Sequence, residues 1–101
     1  MMRVPIGIHP EARLEEDDAF QWYLQRSIAA AEDFLQEIES ARDAIQNSPE
    51  AWPKYIHGTR HYLLKRFPYV VVYRHSAHRI DVVAIAHGRR KPGYWVDRLS
   101  D

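Results

Sequence analysis

The pattern of apolar and polar positions predicts a strand followed by two helices in the first half of the chain. Apolar residues alternate over residues 3–8, which is typical of a strand with one buried side. A proline at position 10 and a run of acidic residues favour a helix over residues 10–26, because both suit the first turns of a helix. The acidic positions are Glu11, Glu15, Glu16, Asp17 and Asp18.

A second helix is predicted to begin after Ser27, whose hydroxyl is suited to capping it, and to end at residues 47–49. Its apolar positions recur at steps of three and four and are Ile28, Ala31, Leu35, Ile38, Ala41 and Ile45. The connection between the two helices is short, so we expect an antiparallel hairpin.

The second half of the chain predicts three strands. Residues 48–58 have the prolines and glycine of a loop, and strands are expected over residues 60–67, 69–73 and 80–86. The run at residues 69–73 is apolar without interruption, which indicates a central strand buried on both faces. Residues 74–79 are predicted to form a polar turn and residues 94–99 a short C-terminal helix.

These elements define an α+β fold of order β-α-α-β-β-β, with a helical hairpin packed on one face of a small, mainly antiparallel sheet. The 101 residues are expected to form a single domain, residues 1–101. The chain has no cysteine, which excludes disulfides, thiolate metal sites and thiol nucleophiles. No metal site and no cofactor are predicted. With no signal peptide and no membrane-spanning segment apparent in the sequence, the protein is expected to be cytoplasmic.

Charge divides the chain into two halves of opposite sign. Residues 1–50 contain four Lys or Arg and eleven Asp or Glu, a balance of −7, whereas residues 51–101 contain ten and three, a balance of +7. Such asymmetry predicts a bipolar surface with one side suited to phosphates or to an acidic partner. The alternative is two solvated faces that attract each other within the fold.

Cationic and aromatic residues in the second half are the candidates for function. Arg and Lys neutralise phosphates, aromatic rings stack on bases, and histidine can move a proton near neutral pH. The candidates for general acid–base and phosphate-stabilising roles are His61, Lys65, Arg66, His87, Arg89, Arg90 and Tyr94. These and other polar or aromatic residues also have structural interpretations: His87 could simply terminate a strand, Arg74 could pair with Asp81, and Trp22 and Trp52 could pack under the helices.

Three stretches resemble the RelE/ParE family of toxins from type II toxin–antitoxin systems. The first is the opening strand followed by His9-Pro10-Glu11-Ala12 and two helices. The second is residues 60–73, which contain the Phe67-Pro68-Tyr69 turn, and the third is residues 80–95, which contain Ala-His-Gly-Arg-Arg-Lys-Pro-Gly-Tyr-Trp. The resemblance covers nearly the whole chain, and the order of the three pieces carries it.

The resemblance implies a toxin that inhibits growth, contributes to plasmid stabilisation and is neutralised by a cognate antitoxin in a hetero-oligomer. RelE-like members cleave mRNA on the ribosome, and ParE-like members act on DNA gyrase without nuclease activity. In the RNA-cleaving members an arginine follows the turn on the central strand, whereas this chain has the uncharged Tyr69-Val70-Val71. The ParE-like branch is therefore favoured. The alternatives are a ribosome-dependent, metal-independent ribonuclease and an inactive antitoxin-binding module.

Two contact surfaces are expected from these considerations. Target binding is assigned to the end of the chain, at Arg89, Arg90, Lys91, Tyr94 and Trp95. Antitoxin binding is assigned to Trp52, Tyr55, Arg60 and Arg74. An antitoxin segment is expected to place acidic residues against the basic half and apolar residues in surface grooves.

Overall fold

Four strands and two long helices make up the framework of the computed structural model, which describes residues 3–100. The strands are β1 (Ile6–Ile8), β2 (Arg60–Leu63), β3 (Tyr69–His75) and β4 (Ile80–His87). The helices are α1 (Pro10–Leu24) and α2 (Ile28–Asn47), and single 3-10 turns cover Ile56–Gly58 and Val96–Ser100. This order confirms the predicted α+β fold.

The sheet has the strand order β1-β4-β3-β2, in which only β1 and β4 run parallel. β4 is longer than β1, so part of its outer edge extends beyond the end of β1. A β-bulge shifts the register between β3 and β4, since Val72 faces Ala84 and Tyr73 faces Val82, which leaves Val83 without a partner residue. The bulge lies just beyond the last residue that β1 covers.

The sheet is buried on both faces. The helical hairpin covers one face with a core that includes Phe34, Ile38, Ile45, Val71 and Ile80. On the opposite face, which we call the rear face, a second core is formed by Val72, Val83, Ala84, Ala86 and Trp95. The central position of β3, buried on both sides, confirms the prediction. The cover of the rear face comes from the C-terminal segment (residues 93–100), which the sequence pattern did not predict.

The buried stripe of α2 differs in part from the predicted one. Ala31, Ile38, Ala41 and Ile45 are buried as expected, whereas Ile28 and Leu35 are 68% and 38% exposed. Phe34 takes the position facing the sheet, where its ring meets those of Phe67 and Tyr69 at 5.4 and 5.6 Å. The larger aromatic side chain therefore sets the rotation of the helix.

The ends of β2 and β3 also differ from the prediction. β2 ends at Leu63 rather than at residue 67, because the amides of Lys65 and Arg66 donate to the Glu37 carboxylate on α2 at 2.6 and 2.8 Å. β3 continues to His75, so the turn covers residues 76–79 rather than 74–79. The Ser76 amide donates to the Arg79 carbonyl at 2.9 Å and closes the turn.

The helical hairpin forms as predicted. The Ser27 hydroxyl caps α2 by accepting from the Ala30 amide at 3.1 Å. Between the helices, Arg42 donates to the carboxylate of Glu16, a buried residue of α1. None of the helices formed by residues 3–100 has an apolar stretch of the length that a bilayer requires.

Candidate target-contact surface

The basic turn (residues 88–91) follows β4 directly and is closed by backbone hydrogen bonds. The Gly88 amide donates to the Pro68 carbonyl at 2.8 Å and the Arg90 amide to the His87 carbonyl at 3.0 Å. His87 Nδ1 accepts from the Arg89 amide at 3.1 Å, which places the proton of a neutral ring on Nε2. All four residues of the turn are exposed, so the turn presents three cationic side chains on a fixed backbone.

Within residues 3–100, the side chains of Arg89 and Lys91 have no hydrogen-bond or ion-pair partner. Arg90 differs, because its guanidinium lies 3.6 Å from the centroid of the Tyr94 ring and 3.7 Å from the Glu15 carboxylate. Two of the three cations are therefore available to a partner, and the third is held in place by its neighbours.

Glu15 on α1 connects the C-terminal segment to the sheet. Its carboxylate accepts from the Tyr94 hydroxyl at 2.6 Å and from both terminal nitrogens of Arg98 at 2.9 Å. It also accepts from the Ile85 amide at 3.0 Å, on the edge of β4 that extends beyond β1. Arg98 satisfies the adjacent Val83 carbonyl at 3.1 Å. The side chains of Glu15 and Arg98 thus bind the backbone groups of β4 that a neighbouring strand would otherwise pair with.

The groups around Glu15 are shielded from water, which strengthens their interaction. The side chains of Glu15 and Arg98 are only 16% and 15% exposed. Burial raises the pKa of Tyr94, and the hydrogen bond that it donates to Glu15 raises it further. The hydrogen bond from Glu15 is the main cause that raises the pKa of Arg98. Tyr94 is therefore a neutral donor and Arg98 a permanent cation, both directed at one carboxylate.

Trp95 is not part of the contact surface, which corrects the prediction. Its side chain is 1% exposed and lies in the rear core, with its ring 6.2 Å from Tyr55 and 6.0 Å from His57. Glu15 and Arg98 hold the C-terminal segment on the sheet, so this indole cannot reach a partner without unfolding the segment. Tyr94 is half-buried, and its hydroxyl is already bound to Glu15.

The candidates for acid–base chemistry lie in separate places. His61 lies on β2 with its ring 4.4 Å from Tyr55. Its Nδ1 is buried and has no hydrogen-bond partner among residues 3–100, and burial lowers the pKa of the ring. Lys65 and Arg66 line a cleft beside α2, and Arg66 forms an ion pair with Asp33 at 3.5 Å. His87, Arg90 and Tyr94 line a different cleft beside α1.

The four residues assigned to antitoxin binding all have internal contacts. The indole of Trp52 donates to the Ala44 carbonyl at 3.2 Å, and Tyr55 packs at the rear face. Arg60 donates to the Trp52 carbonyl at 2.7 Å and Arg74 to the Leu99 carbonyl at 2.9 Å. Tyr55 and Arg60 line one cleft, whereas Trp52 packs on the helix side of the sheet and Arg74 lines a different cleft.

Two of the structural interpretations given above for single residues differ from what the structure shows. Asp81 pairs with Arg79 at 2.7 Å rather than with Arg74. Trp22 is 50% exposed and does not pack under the helices. Among residues 3–100 there is no group of three or more His, Asp or Glu side chains that could hold a metal ion.

The comparisons with known proteins point to one family. A family model described as the ParE toxin of the type II toxin–antitoxin system parDE matches residues 6–92. A solved structure of the chromosomal ParDE toxin–antitoxin system from P. aeruginosa superposes with a TM-score of 0.61 at 16% identity, covering 83% of this chain and 95% of that chain. A search of curated proteins found no match.

Proposed function

The chain belongs to the ParE toxin family of type II toxin–antitoxin systems, and on that premise we propose that it inhibits growth by binding DNA gyrase through the basic turn. The observation that carries this proposal is the pair of exposed cations, Arg89 and Lys91, on a turn fixed by backbone hydrogen bonds. A fixed cationic turn binds a macromolecular target with little loss of conformational entropy.

The rear face supports binding over RNA cleavage. The floor of the cleft beside the basic turn is formed by the apolar residues Leu63, Val70, Val72 and Ala86. A ribonuclease needs a general base, a general acid and a phosphate-stabilising cation within reach of one phosphodiester. Lys65 and Arg66 line the cleft beside α2, away from His87 and Arg90. His87, Arg90 and Tyr94 do share the cleft beside α1, but the Tyr94 hydroxyl donates to Glu15 and Arg90 pairs with the same carboxylate. Because two of these three groups are already engaged within the chain, the site favours binding over the ribosome-dependent endonuclease alternative.

Removal of the two unpartnered cations should weaken inhibition of gyrase. We expect Arg89→Ala/Lys91→Ala to raise the toxin concentration that half-inhibits supercoiling by on the order of thirtyfold, since the loss of one interface arginine can cost about 2 kcal/mol. The matched control is Arg13→Ala/Lys54→Ala, which removes the same charge from exposed positions elsewhere. Equal losses in both variants would contradict a role for the basic turn.

Two further results bear on the choice of target. Unimpaired supercoiling at high excess of the wild-type toxin would contradict gyrase as the target. New ends mapped by primer extension on translated mRNA after induction would instead support the ribonuclease alternative. Normal colony growth on expression without an antitoxin would point to an inactive antitoxin-binding module.

We also propose that a cognate antitoxin neutralises the toxin by covering the rear-face cleft and its basic rim. Leu63 is 64% exposed on the edge strand β2, and Tyr55 and Val70 are half-buried beside it. Arg90 and Lys91 border the same cleft. An extended segment with apolar anchors flanked by acidic residues matches this surface.

Leu63→Glu should weaken antitoxin binding. Burial of a leucine side chain contributes about 1.5–3 kcal/mol, so the dissociation constant should rise roughly tenfold to a hundredfold. Isothermal titration with the purified antitoxin measures the change, and Leu14→Glu on α1, which is 55% exposed, is the matched control. Unchanged affinity for the Leu63 variant would place the antitoxin elsewhere.

A further inference from the structure

A cleft of about 420 Å³ lies between α1 and the end of β4, on the helix side of the sheet. It meets the rear-face cleft at His87, Arg90 and Tyr94, which line both. Five rings and three charged side chains line it: Trp22, Tyr23, Tyr69, His87 and Tyr94, with Glu15, Asp18 and Arg90. A concave site with aromatic walls and few polar groups is the usual form of a specific binding site. The contacts that arginines of this chain make at the cleft indicate which kind of group it binds.

Two of these rings stack against arginine side chains of the same chain. The guanidinium of Arg26 lies 3.5 Å from the centroid of the Trp22 ring, and that of Arg90 lies 3.6 Å from the centroid of the Tyr94 ring. Arg90 also has the Glu15 carboxylate at 3.7 Å. At that end of the cleft, a guanidinium is held by a ring face together with a carboxylate, and both groups attract a cation.

The rest of the cleft also combines aromatic rings with a carboxylate, those of Tyr23, Tyr69 and Asp18. Among residues 3–100, the Asp18 carboxylate has no hydrogen-bond or ion-pair partner, and neither do the hydroxyls of Tyr23 and Tyr69. The two rings are fixed by edge contacts, Tyr23 against Phe67 at 5.0 Å and Tyr69 against His87 at 5.1 Å.

These three oxygen-bearing groups also act on one another. Burial raises the pKa of both phenols, and for Tyr69 the nearby Tyr23 and Asp18 raise it further. Both phenols are therefore neutral at physiological pH, and each offers an oxygen that can accept a hydrogen bond. Asp18 supplies the negative charge. This end of the cleft thus presents three acceptors and two ring walls.

We propose that Asp18, Tyr23 and Tyr69 bind the guanidinium of an arginine side chain on a partner polypeptide. A planar guanidinium can stack on a ring while its five N–H donors reach a carboxylate and both phenol oxygens, which a lysine ammonium cannot do in the same geometry. The acidic face of α1, with Asp17 and Asp18 exposed, attracts a basic segment to this side of the molecule. The proposal is independent of gyrase as the target.

The test uses N-acetyl-L-arginine amide as the probe and follows the protein by two-dimensional NMR. We expect saturable shifts of the Tyr23 and Tyr69 ring signals in the millimolar range. The citrulline analogue has nearly the same shape without the charge and should cause no such shifts. Equal binding of citrulline would overturn the proposal. A tenfold preference for free L-arginine over the blocked form would overturn the assignment to a polypeptide side chain.

Variants separate this site from general electrostatic attraction. Asp18→Asn should raise the dissociation constant of the probe at least tenfold, and Tyr69→Phe, which removes only the hydroxyl, should raise it severalfold. Asp17→Asn is the matched control, because Asp17 is an exposed neighbour that does not line the cleft. A loss in the Asp17 variant as large as that in the Asp18 variant would overturn the proposal. Supercoiling inhibition, measured on the same proteins, reports on the gyrase proposal separately.

Discussion

Trp95→Ala should lower the free energy of unfolding by about 3–5 kcal/mol, the range for truncating a large buried aromatic side chain. The indole is 1% exposed and packs against Val72, Val83 and Ala84 on the rear face. Its removal leaves a cavity over the bulged part of β4, and a chain of 101 residues has little stability to lose. We expect a marked decrease in the urea concentration at the midpoint of unfolding.

The matched control is Trp22→Ala, because this tryptophan is 50% exposed and lies at the end of α1. It loses its stacking with Arg26 and should cost less than about 1 kcal/mol. Urea unfolding followed by circular dichroism measures both variants. Equal destabilisation by the two substitutions would mean that the C-terminal segment does not form a core with the sheet.

The elements of the fold could be predicted from the sequence because their signals are local. The α2 periodicity, the Ser27 cap and the unbroken apolar run of β3 each report on a few neighbouring residues. The boundary of β2 could not be predicted in this way. It is set by Glu37, which is distant in sequence and whose carboxylate accepts hydrogen bonds from the amides of Lys65 and Arg66.

The candidate site was predicted less completely than the fold. Arg89 and Lys91 are exposed as expected, since a cationic run after a strand rarely lies in a core. Trp95 was misassigned because an aromatic residue next to a basic turn suits stacking on a base as well as burial. Only the packing of residues 93–100 on the rear face distinguishes the two, and that packing depends on long-range contacts.

Glu15 was missed for a related reason. In the sequence it is one of five acidic residues near the start of α1, and the helix dipole accounts for such a run. In the fold it accepts from Tyr94, Arg98 and the Ile85 amide, whereas Asp17 and Asp18 remain exposed. One feature of the sequence does indicate burial of Glu15. It lies four residues before the apolar Ala19 and so shares a face of α1 with that residue, which is buried.

Glu15→Ala should lower the free energy of unfolding by about 3 kcal/mol, at the lower end of the range for breaking a buried ion pair. The substitution leaves the guanidinium of Arg98, which is 15% exposed, without the carboxylate that it is bonded to. It also leaves the Tyr94 hydroxyl and the Ile85 amide without their acceptor. Glu15→Gln retains an acceptor oxygen and should cost less. Asp17→Ala, on the same helix but exposed, should change the stability by less than about 0.5 kcal/mol.

The same substitution tests whether Glu15 acts through the C-terminal segment or only through the charge of α1. If it holds the segment, Glu15→Ala should increase hydrogen exchange at the Ile85 amide far more than at amides in the middle of α2. The combined variant Glu15→Leu/Arg98→Leu removes both charges together, so it should recover part of the stability that Glu15→Ala loses. Unchanged exchange at Ile85 with full loss of stability would contradict the proposed link. Because Arg90 also contacts Glu15, release of the segment should disorder one side of the basic turn and weaken target binding along with stability.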